Sequence, residues 1–211
     1  APQALTDSCL TCGEGYHTNN ESRATTCTVC DAGKYSNISS VNCIFCPKGK
    51  FSSSGAGFCS KCLKGTASSF IGQSSNCPSC SSGKYANKIG AYNCSDCPKG
   101  KHQGSTGQSQ CNDCLDGTYS NELGSTGCLN CEPGTYSNIS SKECILCNKG
   151  KYSLSSSSIC LNCDKGRFSS FKGQSSCEAC SAGQYASNYS SYNCTSCPQG
   201  KYQGSTGQDQ C

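Results

Sequence analysis

The chain has 211 residues, 25 of them Cys, while Leu, Ile, Val and Phe together fill only 24 positions and Trp and Met are absent. That composition excludes an ordinary globular domain, because so few aliphatic side chains cannot bury the apolar surface a chain of this length needs. Covalent bridges must replace the core, which places the chain in an oxidising compartment and predicts a secreted or cell-surface protein. The formal net charge of +4 comes from 17 Lys and Arg against 13 Asp and Glu, scattered singly; nucleic acid is not indicated, and no apolar run approaches the roughly 18–20 residues of a membrane span.

After a lead of residues 1–8, the cysteines fall into C-x-x-C pairs that open at Cys9, Cys27, Cys43, Cys59, Cys77, Cys94, Cys111, Cys128, Cys144, Cys160, Cys177 and Cys194, with Cys211 opening a thirteenth. Three residues after the second Cys of every pair stands a Gly, from Gly15 and Gly33 through to Gly200. Two residues further is an aromatic in nine repeats, His17 and His102 in two, and Ala67 in one. An unvarying Gly points to positive φ or to a place where a Cβ would collide. The aromatic is expected to stack on a disulfide or on the next repeat. The Ser/Gly/Asn-rich stretches between are turns. The predicted fold is therefore small and disulfide-rich: short two-stranded β-ribbons, almost no helix and no sizeable hydrophobic core, in an elongated solenoid-like rod.

A longer period overlies the first. Residues 75–111 match 175–211 at 22 of 37 positions, and Tyr35–Ser40 recurs as Tyr136–Ser141. The array thus divides into super-repeat 1 (9–110) and super-repeat 2 (111–211), six modules each, and both ends cut a repeat, so it is expected to run on beyond them. No basic and apolar leader precedes Ala1; a signal peptide is expected to have been removed or to lie outside these residues. If each unit rises on the order of 10 Å, a β-layer spacing, the rod is roughly 100–150 Å long.

Two pairings use the cysteines economically. In a serial ladder Cys12 bonds Cys27, Cys30 bonds Cys43, Cys46 Cys59, Cys62 Cys77, Cys80 Cys94, Cys97 Cys111, Cys114 Cys128, Cys131 Cys144, Cys147 Cys160, Cys163 Cys177, Cys180 Cys194 and Cys197 Cys211, leaving Cys9 unpaired. In an interlaced alternative Cys9 bonds Cys27 and Cys12 bonds Cys30, leaving Cys211 over. The ladder is favoured, because each of its loops encloses one complete Gly and aromatic unit and each closure constrains the unfolded chain by ~3 kcal/mol.

The sharper chemistries fare worse. C-x-x-C spaced by about fourteen residues is also zinc-ribbon spacing, but the repeats never stop and no His sits at ligand spacing in the sequence, so no metal or cofactor is expected. No βαβ pattern supports a redox role. His17 and His102 occupy the aromatic slot and align with Tyr119 and Tyr202 in the other super-repeat, which reads as packing. Asp113, Asp116, Asp164 and Glu178 lack the spacing of a calcium loop. No Ser, His and acid arrangement presents itself, and no catalytic residue is assigned. Six N-x-[ST] sequons occur, at Asn20, Asn37, Asn93, Asn138, Asn188 and Asn193, and the extracellular setting makes N-linked glycans credible at them.

The unit running from Cys46-Pro-Lys-Gly-Lys-Phe51 to Cys59-Ser-Lys-Cys62 resembles the first submodule of tumour-necrosis-factor-receptor cysteine-rich domains, and equally the ephrin-receptor-like cysteine-rich repeat, over residues 9–211. The resemblance implies local pairing, in agreement with the ladder. The receptors' crossed second submodule is missing, and long uniform arrays of this kind resemble surface and appendage proteins of protists and algae. The expected function is a non-enzymatic, glycosylated structural rod of an extracellular fibre, appendage or coat, associating with copies of itself or with other fibre components. The alternative is a ligand-binding or adhesion receptor ectodomain.

Overall fold

The computed structural model describes residues 11–19 and 26–211; the expectations for Cys9 and Asn20 lie outside the described residues. Among these there is no helix, and the regular structure is ten two-stranded hairpins. In chain order they are β1 (Tyr16–His17) with β2 (Thr28–Val29), β3 (Lys34–Tyr35) with β4 (Ile44–Phe45), and β5 (Lys50–Phe51) with β6 (Ser60–Lys61). Next come β7 (Lys84–Tyr85) with β8 (Ser95–Asp96), β9 (Lys101–His102) with β10 (Asn112–Asp113), β11 (Thr118–Tyr119) with β12 (Leu129–Asn130), and β13 (Thr135–Tyr136) with β14 (Ile145–Leu146). The series closes with β15 (Lys151–Tyr152) and β16 (Leu161–Asn162), β17 (Arg167–Phe168) and β18 (Glu178–Ala179), and β19 (Gln184–Tyr185) and β20 (Thr195–Ser196). The first strand of each pair follows the module glycine and ends on the aromatic slot; the second is the x-x of the next C-x-x-C.

Strands of two residues do not hold together alone, and what holds them is the bridge at their root. The serial ladder is present: twelve disulfides run from Cys12–Cys27 to Cys197–Cys211, each closing a separation of 13 to 15 residues with Cα atoms 5.5–5.7 Å apart. Every second strand is therefore clamped between one bridge reaching back and one reaching forward. In the module closed by Cys62–Cys77 the hairpin shrinks to a single bridge between Thr66 and Ser79. There Ala67 fills the aromatic slot and donates its N–H to the Pro78 carbonyl at 3.0 Å, and Pro78 has no N–H with which to extend the ladder.

The interior is made of sulfur and hydroxyl rather than aliphatic carbon. The second Cys of a pair is buried throughout from Cys12 to Cys180, and so is the small residue just after the aromatic slot, as at Ser36, Ser52, Ser137 and Ser153, all at most 3% exposed. The slot aromatics from Tyr35 to Tyr185 are half-buried, whereas Tyr202, the aromatics elsewhere in the module such as Phe45, and most aliphatics are outside, with Ile44, Ile89 and Leu115 each more than half exposed. The Ser hydroxyls are satisfied in two ways: Ser68, Ser120 and Ser169 donate within their own turns, whereas Ser36 Oγ donates to the Tyr16 carbonyl and Ser52 Oγ to the Lys34 carbonyl of the preceding module, both at 2.9 Å. The carbonyls of Ser36 and Ser52 accept from Gly15 and Gly33 N–H at 2.9 Å. Burying a hydroxyl without a partner costs on the order of 1–3 kcal/mol, so each serine whose hydroxyl crosses in this way fixes the preceding module against its own.

The described residues fall into two compact units, one running up to Ser95 and taking in Ser105–Gln110, the other made of Asp96–Gly104 and Cys111–Cys211. Within each, a module touches its next neighbour through the Ser bonds and the next but one through its glycine. In the first unit a Cβ on Gly33 would run into the Gly72 carbonyl; in the second, a Cβ on Gly134 would run into that of Gly173. Both glycines also have φ of +86°. Collision and positive φ thus both forbid a side chain there.

Candidate functional site

The turn after the buried serine is open to solvent. Six or seven residues beyond the module glycine, the backbone passes through a second positive-φ position. From the module closed by Cys30–Cys43 onward its occupant is Ser39, Gly55, Gly72, Gly90, Gly107, Gly124, Ser140, Ser156, Gly173, Ser190 and Gly207. Its N–H donates back to the buried Cys of the preceding module, as from Gly55 to the Cys30 carbonyl at 2.9 Å and from Ser190 to the Cys163 carbonyl at 2.8 Å. In nine of these turns its carbonyl is the group that covers the glycine two modules earlier, as Ser140 does at Gly100 and Ser190 at Gly150. The turn is therefore fixed by its neighbours on its inner side, and the residues just before it project outward.

That geometry separates the five described sequons into two kinds. Asn37, Asn138 and Asn188 are exposed and stand two residues before Ser39, Ser140 and Ser190, whose φ values are +59°, +60° and +59°. Asn93 and Asn193 are exposed as well, but the residue after each is a bridged Cys, Cys94 or Cys194, and the residue after that, Ser95 or Thr195, lies in β8 or β20.

No protein-family model matches the chain, and no curated protein matches it. Its chemistry must be read from its own side chains.

The two histidines sit against sulfur. His102 Nδ1 lies 3.1 Å from Cys128 Sγ, and the ligand atoms of His102, Cys114 and Cys128 fall within 4.8 Å of one another, as do those of His17, Cys30 and Cys43. As thiolates these would be Cys2His sets, which spacing along the sequence does not reveal. Each sulfur is instead bonded to the other of its pair, and a metal is held by thiolate, not disulfide. The arrangement is an imidazole laid on the bridge of the next module.

Asp113 is a carboxylate with a perturbed acidity. Lys101, its cross-strand partner, approaches Oδ1 at 2.8 Å, and the Ser140 hydroxyl donates to the same oxygen. The hydrogen bond from Lys101, then that from Ser140, hold its pKa below the ordinary value. Asp113 thereby links the β9/β10 hairpin to the turn two modules on. Asp31 makes a simpler surface pair with Lys34 at 3.1 Å, and Lys34 also lies 5.0 Å over the Phe45 ring across the hairpin. A shallow open depression at residues 186–195 is lined by Ser, Asn, Tyr and Thr and offers no convergent charged groups.

Sequence reading missed the buried serine column and the second positive-φ position. The signal for the first was available: the residue after the aromatic slot is Ser, Ala or Gln from Ser36 through to Gln203. The second was blurred because its distance from the module glycine alternates between six and seven residues.

Proposed function

We propose that the chain is a non-enzymatic structural protein of the cell exterior, a repeat element from which an extracellular fibre, appendage or coat is built. The observation that carries the reading is the sameness of the interior: module after module contributes one bridge and one buried residue after the aromatic slot, whose carbonyl accepts from the glycine N–H of the module before, as Ser52 does from Gly33 and Ser153 from Gly134. A catalytic site needs a place where such a pattern opens into a cleft with convergent polar groups. Twelve bridges fit an oxidising, extracellular setting, and no described helix is long and apolar enough to cross a membrane. The module's likeness to tumour-necrosis-factor-receptor and ephrin-receptor-like repeats belongs to this reading as a likeness of building element, in which sugar and self-association complete the assembly.

Immunogold labelling of intact cells tests it: label along extracellular filaments or a surface layer, solubilised by reductant, is expected, and intracellular label overturns the proposal. Small-angle scattering on the purified protein adds a second measurement, since a particle near the roughly 17 Å radius of a globular chain of this length would remove the structural element. A second reading, a ligand-binding or adhesion ectodomain, draws on the exposed aromatics Phe45, Phe58, Phe70 and Phe171. It predicts saturable capture of a soluble partner by the monomer.

A further inference from the structure

The structure assigns N-linked glycans to the turn-tip sequons Asn37, Asn138 and Asn188 in preference to Asn93 and Asn193. The inference rests on the extracellular reading above and specifies which asparagines carry sugar.

The second positive-φ position decides it. Glycine suits this backbone without strain, and glycine is what seven of the eleven turns carry there. Four carry Ser, and in three of the four that Ser is the hydroxyl residue of an N-x-S sequon: Ser39 after Asn37, Ser140 after Asn138, Ser190 after Asn188. No turn with Gly at this position has Asn two residues before it. A strained Ser is retained where the sequon requires it.

The internal duplication sharpens the point. Residues 75–111 and 175–211 share 22 of 37 positions, yet Lys88-Ile89-Gly90 stands opposite Asn188-Tyr189-Ser190. Both turns have the same backbone, with φ of +76° at Gly90 and +59° at Ser190. The two copies differ at the two positions that together make or unmake a sequon, and in the copy with the sequon the strain-free glycine is gone.

Accessibility favours the same three. Each asparagine is exposed midway along a bridge-closed loop, namely 30–43, 131–144 or 180–194. In Asn93-Cys94-Ser95 and Asn193-Cys194-Thr195 the central residue is tied to Cys80 or Cys180, so once the bridge forms the tripeptide is no longer free to extend across an enzyme.

The modification is a group transfer from an oligosaccharide carried on a polyprenyl pyrophosphate. The asparagine amide nitrogen attacks the anomeric carbon, the N–C bond forms as the C–O bond to pyrophosphate breaks, the lipid pyrophosphate leaves with the bonding pair, and the amide nitrogen releases one proton. At Asn138 transfer precedes docking of the turn, since in the folded chain the Ser140 hydroxyl is engaged by Asp113.

The test is to secrete the full chain from a eukaryotic host, release N-glycans with an amidase in heavy-oxygen water, and map the resulting Asn-to-Asp mass shifts. Most molecules are expected to shift at Asn37, Asn138 and Asn188, and few at Asn93 and Asn193; the reverse order, or equal occupancy of the two kinds, overturns the inference. The double variant Lys88→Asn, Gly90→Ser is expected to gain the mass of one further oligosaccharide at residue 88, and a bare residue 88 beside an occupied Asn188 counts against the turn geometry as the determinant. The host delivers the chain to the transferase whatever its natural location, so the secretory reading is tested separately. Native protein with free thiols and no sugar sinks that reading, whereas bridged native protein with sugar on Asn93 or Asn193 in place of the turn tips overturns the inference alone.

Discussion

At the scale of single residues, two kinds of site hold this molecule in tension. A non-glycine residue in the left-handed region costs about 1–2 kcal/mol, and glycine loses about 0.5–1 kcal/mol more backbone entropy on folding. Strain is the larger of the two, so Ser190→Gly in sugar-free protein refolded from bacteria is expected to gain about 0.5–1 kcal/mol in chemical denaturation; a loss of stability would mean that the Ser190 side chain makes a contact that outweighs its φ of +59°. The Asp113 carboxylate is a switch of opposite character. Its folded pKa lies below the ordinary value because Lys101 and Ser140 hydrogen-bond the charged form. The stability it confers is therefore complete above the unfolded carboxylate value of about 3.9 and is lost as pH falls through the lower folded value. Amide-exchange protection at Ser140, whose N–H donates to the Cys114 carbonyl at 2.8 Å, should fall in that acid range in the native chain and stay flat in Asp113→Asn. Identical pH profiles would remove Asp113 from the contact.

At the scale of the module, the sequence is explicit about some links and silent about others. C-x-x-C spacing indicates the ladder, and an invariant glycine indicates a crowded or left-handed backbone, because each leaves its mark at a fixed position. What crowds the glycine is not legible, since the obstructing carbonyl lies some 39 residues on, as Gly173 does for Gly134, in a turn whose composition resembles every other turn. The Ser column is hidden for a related reason: Ser also fills the solvent-facing loops, so burial cannot be told from residue type. The next-but-one contact is testable by comparing two glycines. A Cβ at Gly90 comes no closer than 3.7 Å to its neighbours, which are ordinary contacts, and φ there is +76°. Gly90→Ala should therefore cost only the backbone strain, on the order of 1–2 kcal/mol. Gly134→Ala adds a collision of the overpacking kind, typically about 1–3 kcal/mol, and should also abolish exchange protection at the Gly173 amide, which donates to the Cys147 carbonyl at 2.8 Å. Equal costs for the two substitutions would refute the contact.

At the scale of the whole molecule, stability is distributed as in a linear array, with local closures and short-range coupling instead of one cooperative core. Each bridge shuts a loop of similar length, worth about 3 kcal/mol in the chain-entropy model, and the apolar surface that would bind distant modules together is mostly on the outside. Removing one bridge should then open one neighbourhood. The double variant Cys131→Ser, Cys144→Ser leaves the β13/β14 hairpin without the closure at its root, and its effects should travel only as far as the contacts do. Gly117 N–H donates to the Ser137 carbonyl, Gly134 N–H to the Ser153 carbonyl and Ser140 N–H to the Cys114 carbonyl, so loosening is expected in the modules closed by Cys114–Cys128 and Cys147–Cys160. Further along, the Gly173 turn that rests on Gly134 should loosen too. Limited proteolysis under oxidising conditions should cut first between residues 131 and 144, while the segments bridged by Cys30–Cys43 and Cys46–Cys59 resist as in the native chain. Simultaneous loss of protection throughout would reveal a cooperative body that the contacts do not account for, and unchanged resistance at 131–144 would mean that the hydroxyl column, not the bridge, holds the hairpin.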